Sequence, residues 1–72
     1  MSMDSNKFKY YVMRKGSTLG RVATELGINP ATLSRKLSGE SDFSRCEIQK
    51  IREYLGLNLA EAEEIFFNQN IA

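Results

Sequence analysis

Apolar residues recur along this chain every three or four positions in five short blocks. Glycines and small polar residues that can cap a helix separate them. The clearest pattern spans residues 18–37, TLGRVATELGINPATLSRKL. Val22, Ala23 and Leu26 fall on one face of a helix, and Thr18 stands ahead of them as its cap. Gly27 follows the last apolar residue, where a helix commonly ends in a left-handed residue that glycine adopts without steric cost. Ile28 can plug the gap to a second helix, which Asn29-Pro30 starts. Asn caps free amides there, and Pro in the first helical position lacks the N–H that would go unpaired. Leu33 and Leu37 form the inner stripe of this second helix. Its other face carries Ala31, Thr32, Ser34, Arg35 and Lys36, all small, polar or basic.

The other blocks predict three more helices. Residues 7–15 place Phe8, Tyr11 and Val12 on one face, with Arg14 and Lys15 suiting the negative helix end before Gly16. Ser44 with Glu47 three residues on is a capping box, and it precedes a buried stripe of Ile48, Ile51 and Leu55 closed by Gly56. Asn58 with Glu61 repeats the signature ahead of Leu59, Ala62, Ile65 and Phe66. Phe43 is expected to insert into the core beside the fourth helix. No strand candidate has a partner, so the expected fold is all-α, a compact bundle of about five short helices. Residues 1–6 read as a flexible tail, 7–67 as the domain and 68–72 as a C-terminal tail.

A chain of 72 residues with 42% apolar content holds one domain and one small core, and chains this short often gain stability by oligomerising. One Cys and no His exclude a disulfide framework and the usual zinc-ligand sets. No run of 18 apolar residues and no signal-peptide core occur, which reads as a cytoplasmic protein without a membrane partner. The net charge of +1 is low for a nucleic-acid binder, but it is unevenly distributed. Residues 1–39 carry seven Lys/Arg against two Asp/Glu, a net +5, while residues 40–72 carry three against seven, a net −4. One end of the molecule can therefore attract phosphates while the other stays away from them.

Two capped helices, a turn glycine and four apolar positions together make a helix-turn-helix. Ala23, Gly27, Ile28 and Leu33 occupy the small, glycine, apolar and apolar positions of the phage repressor/Cro family, often called the XRE type, which this chain resembles. The resemblance covers the central 20 residues well and extends more loosely to most of the chain. It implies a lambda-repressor-like fold and a transcriptional regulator, phage- or mobile-element-related, that reads double-stranded DNA with the helix Pro30–Ser38. Residues near the start of that helix meet base edges in the major groove. Mapped here they are Pro30, Ala31, Thr32, Ser34 and Arg35, with Arg35 suited to bidentate bonding to guanine. Phosphate contacts are expected from Thr18, Arg21, Lys36, Ser41 and Arg45. Leu19 stands where relatives commonly carry a Gln that touches a phosphate. The resemblance also implies a homodimer, at least when bound to DNA, on a pseudo-palindromic operator. Ile65, Phe66, Phe67 and Ile71 exceed what one small helix needs and are the candidate dimer contact.

A second reading keeps the fold but makes it a non-catalytic interaction module for another regulator or a polymerase subunit. Without His, a nucleophile–base pair or a phosphate-binding glycine loop, an enzyme is not expected. Neither a cofactor, a metal nor a small-molecule ligand is expected. Cys46 has no second Cys or His beside it in sequence to suggest chemistry, and Glu61, Glu63 and Glu64 read as a solvated face.

Overall fold

A computed structural model describes residues 3–67 of the chain. It is all-α, with five helices in the order α1 (Ser5–Lys15), α2 (Leu19–Leu26), α3 (Pro30–Ser38), α4 (Arg45–Leu55) and α5 (Leu59–Phe66). Helix α2 packs against both α3 and α4, while α1 lies against α2, α4 and α5. Phe8, Val22, Ala23, Leu33, Ile51 and Ile65 are each almost or fully buried, and among the described residues no polar or charged residue is.

The expected caps set the helix ends. Thr18 Oγ1 accepts the Arg21 N–H at 3.1 Å, and Asn29 Oδ1 accepts the Ala31 N–H at 2.7 Å. Both capping boxes form, Ser44 with Glu47 and Asn58 with Glu61. Gly27 lies at φ +72°, its N–H donating to the Thr24 carbonyl while the Ile28 N–H donates to that of Ala23. This pair of bonds turns the chain from α2 into α3 and half-buries Ile28 against the core.

Four placements differ from the sequence reading. Helix α1 starts at Ser5 because Asp4 caps it, accepting the Lys7 N–H at 3.0 Å, while the Asp4 N–H donates to the Ile65 carbonyl at 2.8 Å. Residues 4–6 therefore belong to the folded unit and not to a tail. Leu59, expected on the apolar face of α5, is 61% exposed. Leu57, between Gly56 and Asn58, takes a core position instead, and Ile48 is only half-buried. Finally, Phe43 packs at the edge of the core, its ring 6.3 Å from that of Phe8 and 5.4 Å from that of Phe66.

A polar strut holds the end of α3. Lys36 Nζ lies 3.3 Å from Glu47 Oε1 and donates to the Asp42 carbonyl at 2.9 Å, and it sits 5.7 Å from the Phe43 ring centroid. It ties α3, the following loop and the first turn of α4 together. Burial pushes the Glu47 carboxyl up, but the Ser44 N–H and the Lys36 ammonium outweigh this and hold its pKa below the ordinary value. With side chains only 13% and 18% exposed, this pair is better shielded than an ordinary surface ion pair.

Two predictions follow from these contacts. A Cβ added at Gly27 meets nothing within 4 Å, so Gly27→Ala isolates the left-handed backbone cost; it should lower unfolding stability by ~1–2 kcal/mol in urea titration. Because the Glu47 pKa is lowered on folding, its contribution is present above the unfolded carboxylate pKa of ~4.3 and is lost as pH falls through the folded value. Glu47→Gln should therefore cost stability at neutral pH and flatten the decline below about pH 4. An unchanged acid limb would show that the strut does not stabilise the fold.

Candidate nucleic-acid interface

Helix α3 is docked by one face and free on the other. Leu33 is 1% exposed and Leu37 packs partly against the core, whereas Ala31, Ser34, Arg35 and Ser38 are exposed. Their i, i+3, i+4, i+7 spacing makes one continuous outward stripe. Pro30, in the first helical position, is exposed beside it. Of the five residues expected to meet bases, four thus stand on open surface, while Thr32 is half-buried at the margin. Among the described residues, the Arg35 guanidinium has no carboxylate partner. Helix α3 is held by its inner leucines, by the Gly27 turn and by the strut at its far end, so the stripe rides on a rigid element.

The residues expected at phosphates divide differently. Thr18, Arg21, Ser41 and Arg45 are exposed. The Thr18 oxygen already caps α2, which leaves its O–H as a donor. Lys36 does not fit the expected role: its ammonium is engaged by Glu47 and the Asp42 carbonyl and is sheltered from solvent. Ser41 precedes Asp42, and Arg45 lies between Asp42 and Glu47, the two residues that this strut holds.

One feature the sequence reading missed lies beside α3. Ser34 and Ser38 share an open groove of about 340 Å³ with Leu19 and Gly20 from the start of α2 and with Ser5 and Lys9 from α1. Lys7 and Lys9 look alike in the sequence. Packing separates them, because Lys7 pairs with Glu64 at 3.3 Å while Lys9 lines the groove.

The candidate dimer residues also separate. Ile65 is fully buried within the chain, so its side chain has no surface to offer a partner. Phe66 is half-buried, with its ring 5.4 Å from Phe43 and 6.4 Å from Phe8. Phe67 is 55% exposed, and Ile71 lies outside the described residues. No group of three or more His, Cys, Asp or Glu among the described residues is arranged to hold a metal ion. No helix among them is long and apolar enough to cross a membrane.

No protein-family model and no solved structure matches the chain. It is 35% identical over 57 residues to YvzC of Bacillus subtilis (strain 168), an uncharacterized HTH-type transcriptional regulator; the match covers 79% of this chain and 70% of the relative. A shared sequence over that length, on a bundle whose second and third helices are joined by the Gly27 turn, places this chain among the HTH-type transcriptional regulators.

Proposed function

We propose that this protein is a sequence-specific regulator of transcription of the phage repressor/Cro type that reads the major groove of duplex DNA with α3. The observation that carries the reading is the unobstructed stripe Ala31, Ser34, Arg35 and Ser38 on a helix fixed by its opposite face. Arg35 is assigned to a guanine through O6 and N7, and the Ala31 methyl to a thymine methyl. Pro30, Thr32 and Ser34 complete the base-facing set. Thr18, Arg21, Ser41 and Arg45 take phosphates and fix the register without reading sequence. The protein acts by covering a promoter as a twofold dimer whose half-sites lie about one DNA turn, ~34 Å, apart. Of the dimer candidates among the described residues, Phe67 is the one with an exposed side chain to offer a second copy.

Selection of bound duplexes from a random library tests the reading. The wild-type protein should enrich an inverted repeat, and Arg35→Ala should relax the preference at one base pair per half-site, a loss of ~1–3 kcal/mol of discrimination. Enrichment unaltered by the substitution would remove Arg35 from base readout. The dimer has its own measurement. In sedimentation on the selected duplex, two copies should bind per site, and Phe67→Ser should shift the complex toward one copy. A single wild-type copy per site would rule out the twofold arrangement.

A further inference from the structure

Two neighbouring helices turn outward faces of opposite charge to solvent. Lys7 pairs with Glu64 at 3.3 Å and Arg14 with Glu61 at 3.6 Å, so α1 and α5 run side by side in opposite directions with a seam of ion pairs between them. Beyond the seam on α1 stand Tyr10 and Met13, one turn apart and 55% and 71% exposed, and Lys9 borders them on the far side. Helix α1 contains no Asp or Glu. Beyond the seam on the α5 side, exposed Ala60 and Phe67 take the corresponding place, and Glu63 borders them on the far side. Phe67 follows α5 directly, its N–H still donating to the Glu63 carbonyl at 3.0 Å. Helix α5 contains no Lys or Arg.

The order across the two helices is therefore cation, apolar pair, ion-pair seam, apolar pair, anion. Three of the four large apolar side chains exposed among the described residues, Tyr10, Met13 and Phe67, fall in this band, which marks it as a surface to be covered. Its outer charges, Lys9 and Glu63, have no ion-pair partner among the described residues. The order is also complementary to itself. A twofold axis along the seam reverses it, so Lys9 meets the partner's Glu63, Tyr10 and Met13 meet the partner's Ala60 and the partner's Phe67, and every contact occurs twice. Counted along the helices from the two ion pairs, Lys9 is nearly level with Glu63, and Met13 with Ala60.

We propose that two copies of the chain meet through this band, α1 of each lying on α5 of the other, with Lys9 paired to the partner's Glu63 at both edges. The inference rests on the dimer in the proposed function and names its surface, to which α1 contributes half of each contact. Charge singles out a second copy as the occupant. A uniformly anionic partner such as DNA would suit the Lys9 edge and be repelled at Glu63 and Glu64. An occupant that covers the whole band needs both signs in the reverse order, and a second copy supplies them.

The test is charge reversal followed by mixing, read by equilibrium sedimentation of the full chain without DNA. Thermal melting followed by circular dichroism checks that each variant is folded. The wild-type chain should dimerise. Lys9→Glu and Glu63→Lys should each weaken self-association roughly tenfold or more, since each sets like charges opposite one another twice. An equimolar mixture of the two should recover a heterodimer near wild-type affinity, because both edges then carry opposite charges again. Lys50→Glu, the same change of net charge at an exposed position on α4, should associate as wild type. Wild-type association by either reversed variant overturns the surface. So does a mixture of folded variants that stays monomeric, or an equal loss from Lys9→Glu and Lys50→Glu. A wild-type chain that remains monomeric in solution overturns it too, even where two copies bind one duplex, and the DNA reading then stands without it.

Discussion

Everything in this structure depends on burying one face of five helices, none of which is long enough to persist alone. They run 11, 8, 9, 11 and 8 residues, below the ~12–15 at which isolated helices become even marginal in water. Their stability comes from a shared core that Phe8, Val22, Leu33, Ile51 and Ile65 fill from all five elements. Short helices also have a high proportion of unpaired terminal amides and carbonyls. Each of the five starts on a side-chain cap, and four end on a left-handed glycine. Capping and core burial are therefore complementary: the caps fix where each helix begins, and the core fixes how the helices lie.

That division explains how a nine-residue helix can present a defined surface. A recognition surface has to hold its side chains in register with a groove, and a frayed helix would not. Helix α3 is fixed at its start by Asn29 and Pro30, along its length by Leu33 and Leu37, and at its end by Lys36 bonded to the loop and to α4. The exposed stripe is left free of structural work. Lys36 shows the converse. Although it neighbours the exposed stripe, its ammonium is held by Glu47 and the Asp42 carbonyl and is not free at the surface.

Most of the fold was legible because its signals are local. Thr18, Asn29, Ser44 and Asn58 cap helices within three residues of themselves, and Gly27 and Gly56 end them in the same way. What escaped the sequence was set by contacts between distant segments. The early start of α1 depends on an Asp4 N–H that finds the Ile65 carbonyl at the other end of the domain. Leu57 is a lone apolar residue between two cap positions, so no periodicity marks it as core, while Leu59 fits the period yet lies too near the helix start to be covered. In the candidate interface, residue type identified the stripe on α3 but could not distinguish Lys9 from Lys7 or Lys36. Their difference lies in which glutamates the packing brings near.

The charge distribution gains a second meaning from the same packing. Lys7, Arg14 and Lys36 from the basic half pair with Glu64, Glu61 and Glu47 from the acidic half, so each of these ion pairs joins the two halves of the chain. Part of the asymmetry thus serves the fold: α1 lies along α5 through two of these pairs, and α3 meets α4 through the third. Lys15, though exposed, lies over the Tyr54 ring, 5.2 Å from its centroid. What remains of the basic half is Lys9, Arg21 and Arg35, and these have no acidic partner among the described residues. A chain with a net charge of only +1 can therefore still present a cationic surface, because its acidic residues are not spread evenly over it. Several are held against the cations that build the bundle, and the cations left over lie on α1, α2 and α3.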